Sequence, residues 1–355
     1  MPSVLVAMSG GVDSSVAACL LQQQGYDVVG SHMRLTHLDG ADHGCCGPAA
    51  RRDAAAVARI AGFPFEVCDL TEEFERTVVA DHLDELAAGR TPNPCARCNG
   101  EIKFGAFLRR ADALRVDLIA TGHYVRTETR DGGVHLLRGA DPTKDQSYML
   151  HMLGQAELTR SRFPVGGIDK GRTRAVAAEL GLPVASKPDS QELCFVPPGE
   201  AHRFAQARAP ELLRSGELVD HDGRVVGTHR GTFAFTVGQR RGLGVALGEP
   251  AYVTEIDAPA GRVVVGPREL LMRSRLMVDR ASWVGGPPPA DGPFEAEVRT
   301  RYRDVGAPAV VRPEGPDRFQ VEFRTPQRAV APGQSAVVDL GDEVLGGGRI
   351  VSTSP

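Results

Sequence analysis

The first residues that could carry chemistry lie near the amino terminus. A short apolar segment at 4–8 leads directly into the run Ser9-Gly10-Gly11-Val12-Asp13-Ser14-Ser15, and a helical pattern follows. Paired glycines let the backbone approach a ligand closely, and the N–H groups at a helix N-terminus bind anions. We therefore predict a phosphate-binding loop in which the three serines donate hydroxyl hydrogen bonds and Asp13 binds Mg²⁺. A glycine-serine turn that only caps the helix is the simpler alternative.

Cysteine is the second residue type that points to chemistry. The chain has 7 cysteines, and all of them lie within the first 194 residues. A disulfide framework would spread over the whole fold, so this distribution favours metal binding or nucleophilic chemistry in a reducing compartment. Cys98 ends a proline-stiffened segment just before a predicted helix, where the helix dipole would favour a thiolate. That position suits a nucleophile.

The other cysteines leave alternatives open. Cys95 and Cys98 are spaced as C-x-x-C, and together with Cys194 they could offer three thiolates to a metal or an iron–sulfur cluster. A fourth metal ligand is not evident from the spacing. Four cysteines receive no catalytic role, two of them as expected packing residues and two in a glycine-rich loop: Cys19 and Cys68, and Cys45 and Cys46.

The elements that must position these residues follow from the pattern of the first half of the chain. Short apolar segments alternate with amphipathic ones, which indicates βαβ units and a parallel sheet covered on both faces. The strand-like segments are 4–8, 27–33, 65–68 and 116–121, and the helix-like segments are 15–24, 49–61, 74–88 and 101–114. Ligands of such sheets bind at the carboxyl ends of the strands.

The second half has a different pattern. A short helical segment at 201–207 precedes glycine-punctuated stretches, and β-type runs separated by Pro and Gly turns follow at 276–283, 294–302, 309–312, 319–323 and 335–340. We predict an α/β protein of three domains. They are a doubly wound parallel-sheet domain at 1–198, a small central linking domain at 199–266 and a C-terminal antiparallel β-barrel at 267–355.

Composition narrows the function classes. With 355 residues and 42% hydrophobic residues, the chain can bury a full core. We expect a cytoplasmic protein with no membrane partner, since no apolar run approaches the roughly 20 residues of a membrane span and no secretory signal is evident. The net charge of −4 argues against whole-surface attraction to nucleic acid and leaves local basic patches. Only 4 lysines accompany 37 arginines, which hints that the retained lysines supply a compact ammonium.

The loop is neither a Walker motif nor a G-x-G-x-x-G fingerprint. It resembles the signature of the ATP pyrophosphatases, or PP-loop enzymes, and further segments closely resemble the tRNA-specific 2-thiouridylases from Val4 to about Ile350. These segments are Gly89-Arg90-Thr91-Pro92-Asn93-Pro94-Cys95-Ala96-Arg97-Cys98-Asn99, Glu101-Ile102-Lys103-Phe104, Ala120-Thr121-Gly122-His123-Tyr124, Lys144-Asp145-Gln146-Ser147-Tyr148, Ser186-Lys187-Pro188-Asp189-Ser190-Gln191-Glu192-Leu193-Cys194-Phe195, Gly238-Gln239-Arg240-Arg241-Gly242-Leu243 and Ala331-Pro332-Gly333-Gln334.

This resemblance implies an ATP- and Mg²⁺-dependent enzyme that forms 2-thiouridine at the wobble position of tRNA, in the tRNAs for Lys, Glu and Gln. The uracil oxygen at carbon 2 would be adenylated, with release of pyrophosphate. Cys194 would carry a persulfide sulfur received from a donor, such as a cysteine desulfurase or a sulfur relay protein. Cys98, the nucleophile, would release the sulfur while forming a transient disulfide with Cys194.

The resemblance also implies binding roles, position by position. Nucleotide contacts fall on Ala7, Met8, Ser9, Gly10, Gly11, Val12, Asp13, Ser14, Met33 and Gly122. Contacts to the target base fall on Asn93, Pro94 and Cys95, and contacts to tRNA fall on His123, Lys144, Asp145, Gln146, Arg301, Tyr302 and Gln334. Cys95 is a departure, because some members of the family carry Asp at that position.

Two other function classes compete with this interpretation. Another adenylating PP-loop enzyme, such as an amidotransferase or a lysidine-type synthetase, would need an amine route, and Cys98 and Cys194 count against it. A non-catalytic nucleotide-binding module would leave the C-terminal β structure and the cysteine segment without a purpose. Pyrophosphate release that depends on added tRNA would discriminate among these possibilities.

Overall fold

The structure, a computed structural model, describes residues 1–36, 47–189, 193–196, 199–245 and 248–355. Cys45, Cys46 and residues 190–192 of the Cys194 segment lie outside these ranges. The helices are α1 Val12–Gln23, α2 Pro48–Ala61, α3 Thr71–Phe74, α4 Ala80–Ala87, α5 Pro94–Cys98, α6 Phe107–Leu114, α7 Gln155–Thr159, α8 Lys170–Glu179 and α9 Ala201–Arg208. π-helical segments Glu75–Val79 and Asn99–Ala106 join α3 to α4 and α5 to α6.

The strands fall into three sheets. Those of the first are β1 Ser3–Ala7, β2 Asp27–Arg34, β3 Phe65–Asp69, β4 Leu118–Ala120 and β7 Ser161–Arg162. The chain between β4 and β7 forms β5 Val125–Arg130 and β6 Gly133–Arg138, which pair with the third sheet. The second sheet has β8 Gly216–Asp220, β9 Val225–His229, β10 Tyr252–Asp257 and β11 Arg262–Gly266. The third has β12 Met272–Trp283, β13 Phe294–Arg299, β14 Ala307–Pro313, β15 Phe319–Arg328, β16 Ser335–Leu340 and β17 Glu343–Ser354.

The first sheet is parallel throughout, in the order β3-β2-β1-β4-β7. Successive side chains of a strand point to opposite faces, and β1 shows this directly. Val4 and Val6 pack into one core with α1 and α2, whereas Leu5 and Ala7 pack into a second core on the other face. The predicted doubly wound sheet is therefore confirmed. Its strand order reverses between the paired strands β1 and β4.

The remaining sheets complete the predicted fold class. The central sheet has the order β10-β11-β8-β9. In the C-terminal part, β12, β15, β14, β13, β16 and β17 pair in sequence, and the additional pairing of β12 with β17 closes them into a six-stranded barrel. Closure removes the exposed edges that an open sheet would leave. The barrel encloses its own apolar core around Trp283, Phe319 and Val338.

Two elements of the barrel sheet were missed by the sequence patterns. The hairpin of β5 and β6 comes from the first half of the chain and pairs with β17 at Leu137↔Glu343 and Leu136↔Val344. Strand β17 itself contains three consecutive glycines, which suggest a loop. A Cβ on Gly346 would lie 2.3 Å from the carbonyl oxygen of Ser282, so glycine is what lets β17 approach β12.

Within the ranges that the structure describes, no helix combines the length and the apolar character needed to cross a membrane.

Candidate active site

A cavity of about 1350 Å³ lies where β1 and β4 end. In open α/β sheets ligands bind at such a reversal of strand order. The parts of the chain that meet around the cavity include the loop after β1, the helical segment that carries Cys95, and the barrel loop at Tyr302. The cavity is lined by most of the predicted site residues, namely Ala7, Met8, Ser9, Gly11, Val12, Asp13, Ser14, Met33, Cys95, Gly122, His123, Lys144, Asp145, Gln146 and Tyr302.

The loop after β1 leads into the N-terminus of α1. Gly11 is the N-cap residue and supplies no side-chain cap, so the first N–H groups of α1 are left for a ligand. The hydroxyls of Ser9 and Ser14 lie 3.2 Å apart. Ser15 differs from the sequence expectation, because its side chain is fully buried and its hydroxyl donates to the carbonyl oxygen of Gly11 at 2.8 Å. Ser15 thus stabilises the loop and does not face the cavity.

Gly122 follows β4 and lies directly against the loop. A Cβ at this position would lie 2.5 Å from the backbone nitrogen of Ser14 and 2.7 Å from the carbonyl carbon of Asp13. Real Cβ contacts are longer than this, so a larger residue would displace one of the two segments. The close approach explains on packing grounds why a glycine stands here.

Asp13 is already engaged by two neighbours. The ammonium of Lys170 donates to its Oδ1 at 2.7 Å and to its Oδ2 at 2.8 Å. The hydroxyl of Tyr124 donates to Oδ1 at 2.7 Å, and burial raises the pKa of Tyr124, so that this hydroxyl stays protonated. A carboxylate has about four acceptor sites, so Oδ2 retains capacity for a cation such as Mg²⁺.

Every lysine of the chain lines this one cavity: Lys103, Lys144, Lys170 and Lys187. The sequence motifs contain three of them, and Lys170 was missed because it lies in no recognised motif. Altogether seven cationic side chains and four carboxylates line the cavity, in a chain whose net charge is −4. The cavity therefore provides the local basic patch that a polyanionic ligand requires.

The two cysteines of the C-x-x-C pair face different surroundings. The helix begins at Pro94, and the side chain of Asn93 caps it by accepting the N–H of Ala96 at 3.1 Å. The prediction that Cys98 lies just before a helix is therefore wrong. Cys98 lies one turn inside the helix, whereas Cys95 occupies its first turn, is exposed and lines the cavity. The dipole effect falls off within the first turn, so it favours Cys95 rather than Cys98.

Cys98 and Cys194 share a small apolar cluster behind the cavity wall. Cys98 is buried there with Phe74, Ile102 and Phe195, and Cys194 packs against the same cluster at partial exposure. Segments almost 100 residues apart in the sequence are thus brought together. Across the described part of the chain, no group of three or more Cys, His, Asp or Glu side chains is arranged to hold a metal ion, and this includes Cys95, Cys98 and Cys194.

His123 is a buried side chain in the cavity wall. Its Nδ1 lies 2.8 Å from the hydroxyl oxygen of Thr121. Burial holds the pKa of His123 well below its usual value, and the nearby charge of Lys103 acts in the same direction. His123 is therefore neutral at physiological pH.

Several predicted tRNA contacts also hold the protein together. Asp145 accepts hydrogen bonds from the backbone of Gly139 at 2.9 Å and from Arg299 at 3.2 Å, and Gln146 accepts from the backbone of Tyr124 at 2.9 Å. Arg301 donates to backbone carbonyls of the barrel. These contacts hold the loop that follows β6 and the adjoining barrel surface in place.

Gln334 connects the barrel to the segment that precedes the cysteines. Its Nε2 donates to the carbonyl oxygens of Thr91 at 2.9 Å and Pro92 at 3.3 Å. The next residue, Asn93, caps the Cys95 helix. Gln334 therefore helps to set where that helix starts.

A doubly wound sheet with a glycine- and serine-rich loop at its switch point is the architecture of a nucleotide-binding enzyme. Three family profiles match the chain: "tRNA methyl transferase HUP domain" at residues 2–198, "tRNA methyl transferase PRC-barrel domain" at 203–267 and "Aminomethyltransferase beta-barrel domain" at 273–350. The first covers the parallel sheet and the loop.

Relatives of similar length define the family more closely. A protein of Geobacter metallireducens named tRNA-specific 2-thiouridylase MnmA is 46% identical over 98% of this chain and 96% of its own. A protein of Chloroflexus aggregans with the same name is 47% identical over 99% of this chain and 98% of its own. A solved 4-thiouridine synthetase–RNA complex with bound ATP aligns at 16% identity over 55% of this chain and 45% of that chain, with a TM-score of 0.37, a likeness too low to add to the assignment. The chain belongs to the tRNA-specific 2-thiouridylase family and is an enzyme.

Proposed function

We propose that this enzyme uses ATP to replace the oxygen at carbon 2 of the wobble uridine of tRNA with sulfur, in the tRNAs for Lys, Glu and Gln. One observation carries the proposal. The phosphate loop and the helix that bears Cys95 line the same cavity, so a base bound beside that helix would face a nucleotide bound at the loop. The cysteine pair in the adjoining cluster favours thiolation over the methyl transfer in the names of two profiles.

The first step is adenylation of the uracil oxygen. That oxygen attacks the α-phosphorus of ATP, and pyrophosphate leaves. The N–H groups at the start of α1, the hydroxyls of Ser9 and Ser14 and the lysine ammoniums would stabilise the charge on the leaving pyrophosphate. Mg²⁺, when bound, would neutralise phosphate charge, and Asp13, which lines the cavity, would supply a carboxylate ligand.

The second step is sulfur transfer. The terminal sulfur of a persulfide on Cys194 attacks carbon 2, and AMP leaves with the oxygen. The Cys98 thiolate then attacks Sγ of Cys194, which breaks the S–S bond, releases 2-thiouridine and leaves a disulfide between the two cysteines. A thiol reductant and a persulfide donor protein restore the enzyme. The shared cluster of Cys98 and Cys194 supports this pairing.

The adenylation step predicts the products and their dependence on the loop. In the presence of tRNA, ATP should yield AMP and pyrophosphate. Gly122→Ala should reduce pyrophosphate release by at least about a hundredfold, because the added Cβ displaces the loop at Asp13 and Ser14. Gly167→Ala is the matched control, since a Cβ there meets nothing within 4 Å, and it should leave pyrophosphate release unchanged. Formation of ADP and phosphate instead would contradict the proposal.

The tRNA-binding role predicts a salt-dependent contact at the barrel loop. Arg303 is exposed and lines the cavity beside Tyr302. Arg303→Glu should weaken tRNA binding about tenfold and lower the slope of log Kd against log salt by about one, as loss of one phosphate contact does. Filter binding over a series of salt concentrations measures both. Arg318→Glu, on an exposed barrel turn away from the cavity lining, should change neither quantity; equal effects of the two would count against this surface.

A further inference from the structure

Lys170 contacts two carboxylates that line the cavity, and it lies outside every motif that pointed to the family. Its ammonium donates to both carboxylate oxygens of Asp13 and lies 2.8 Å from Oδ1 of Asp189. Its side chain is only 12% exposed, so these contacts are poorly screened by solvent. Three N–H groups of one ammonium thus meet three carboxylate oxygens from two different segments.

Asp189 is shared among several cations. Lys144 lies 2.9 Å from its Oδ2, and Arg174 lies 3.4 Å from its Oδ1. Burial alone would raise the pKa of Asp189, but the hydrogen bonds and charges of Lys170 and Lys144 outweigh burial and lower it. Asp189 is therefore an ionised carboxylate that holds two of the four lysines of the chain.

A purely structural ion pair would not call for lysine here. The chain uses Arg 37 times and Lys 4 times, and the planar fork of Arg is the better partner for a fixed carboxylate pair. An ammonium is a compact point charge with donors that reorient freely, so it can exchange one oxygen ligand for another. The lysines of this cavity have the properties of ligands for a mobile anion.

Asp13 fixes where that exchange would happen. It lies in the first turn of α1, whose N-terminal N–H groups are the anion-binding end of the loop. Lys170 is itself anchored through its backbone N–H, which donates to Asp141 Oδ2 at 3.1 Å. Its ammonium is therefore held beside the place where phosphates would bind.

We propose that Lys170 is a phosphate ligand of the bound nucleotide and that Asp189 is the carboxylate with which the phosphates compete for it. The inference rests on the proposed function, because it takes ATP as the occupant of the loop. Asp13 keeps the ammonium at the loop, and a phosphate oxygen replaces Asp189 on the remaining N–H. The two partners of one ion pair thus have opposite effects on nucleotide affinity.

The test measures binding of the Mg²⁺ complex of α,β-methylene ATP by isothermal titration calorimetry, without tRNA. Lys170→Met should raise Kd about tenfold, the loss of one hydrogen bond to a charged group. Asp189→Asn should lower Kd severalfold, because the competing charge is gone while the side-chain shape remains. Lys170→Arg should recover part of the affinity. None of these changes should appear with adenosine, which has no phosphates.

Arg172→Ala is the matched control, since Arg172 lies on the same helix in an exposed pair with Glu179 and should leave Kd unchanged. Thermal unfolding by circular dichroism reports whether each variant is folded. If the pair is only structural, Lys170→Met and Asp189→Asn both remove it, and both should weaken binding together with stability. That outcome overturns the inference, and so does an Asp189→Asn variant that alone binds the nucleotide more weakly than the wild type. A wild-type enzyme that binds no nucleotide would instead contradict the proposed function itself.

Discussion

Cys98→Ser and Cys194→Ser should each reduce tRNA thiolation to background while pyrophosphate release from ATP continues. Neither cysteine belongs to the phosphate loop, and both lie in the apolar cluster behind the cavity, so the adenylation site stays intact. A serine hydroxyl can neither carry a persulfide sulfur nor attack a disulfide bond as a thiolate does. Mass spectrometry of digested tRNA measures 2-thiouridine, and a coupled assay measures pyrophosphate.

Two further variants decide what the result means. Cys19→Ser changes a buried cysteine on α1 and should retain thiolation, apart from a modest loss of stability. Cys95→Ser should keep substantial activity, because the proposed persulfide mechanism assigns the sulfur to Cys194 and the attacking thiolate to Cys98. An iron–sulfur cluster mechanism requires the opposite: activity that disappears in Cys95→Ser or on iron chelation and returns after anaerobic reconstitution. Thiolation by iron-free protein with a persulfide donor would remove that alternative.

Arg299→Met should lower the free energy of unfolding by about 3 kcal/mol, the lower end of the usual cost of breaking a buried ion pair, because Arg138 still lies 2.9 Å from Asp339. Arg299 and Asp339 are almost completely buried, and their side chains meet through hydrogen bonds of 2.6 and 2.9 Å. Arg299 also donates to Asp145, so the same side chain ties the barrel to the cavity wall. Urea denaturation followed by fluorescence or circular dichroism measures the change.

The pH dependence of that loss has a definite sign. Burial raises the pKa of Asp339 even though Arg299 and Arg138 act against burial, and removing Arg299 should raise it further. When a carboxyl group has a higher pKa in the folded state than in the unfolded state, the protein loses stability as pH rises from the unfolded value through the folded value. Arg299→Met should therefore cost more at a pH above the folded-state pKa of Asp339 than at a pH near the pKa of a free carboxyl group.

Two controls accompany this measurement. Arg275→Met removes an exposed pair with Glu322 on the same barrel and should change stability by about 0.5 kcal/mol or less. The double variant Arg299→Met with Asp339→Asn should recover part of the stability, because it removes the buried carboxylate charge that Arg299 no longer balances. An equal loss at both pH values, or no recovery in the double variant, would show that Asp339 is not the group responsible.

The parallel sheet, the phosphate loop and the barrel could be predicted from the sequence, because each depends on local rules. Short apolar segments between amphipathic ones indicate strands, and paired glycines between a strand and a helix indicate an anion-binding loop. Five residues of the loop line one cavity together with Met33, Gly122 and Cys95, namely Ser9, Gly11, Val12, Asp13 and Ser14. Their chemical roles stay predictions, because lining a cavity does not show what a side chain does there.

Where the sequence patterns failed, contacts between distant segments decided the outcome. Lys170 meets Asp13 across 157 positions of the chain, and no local motif records such a pairing. The glycines of β17 suggest a loop until β12 lies against them and requires their missing side chains. The capping of the helix by Asn93, supported through Gln334 from the barrel, decides that Cys95 faces the cavity and Cys98 the apolar cluster. The sequence by itself therefore determined which reactive groups the chain carries, and the packing of the barrel against the parallel-sheet domain decided which of them face the ligand.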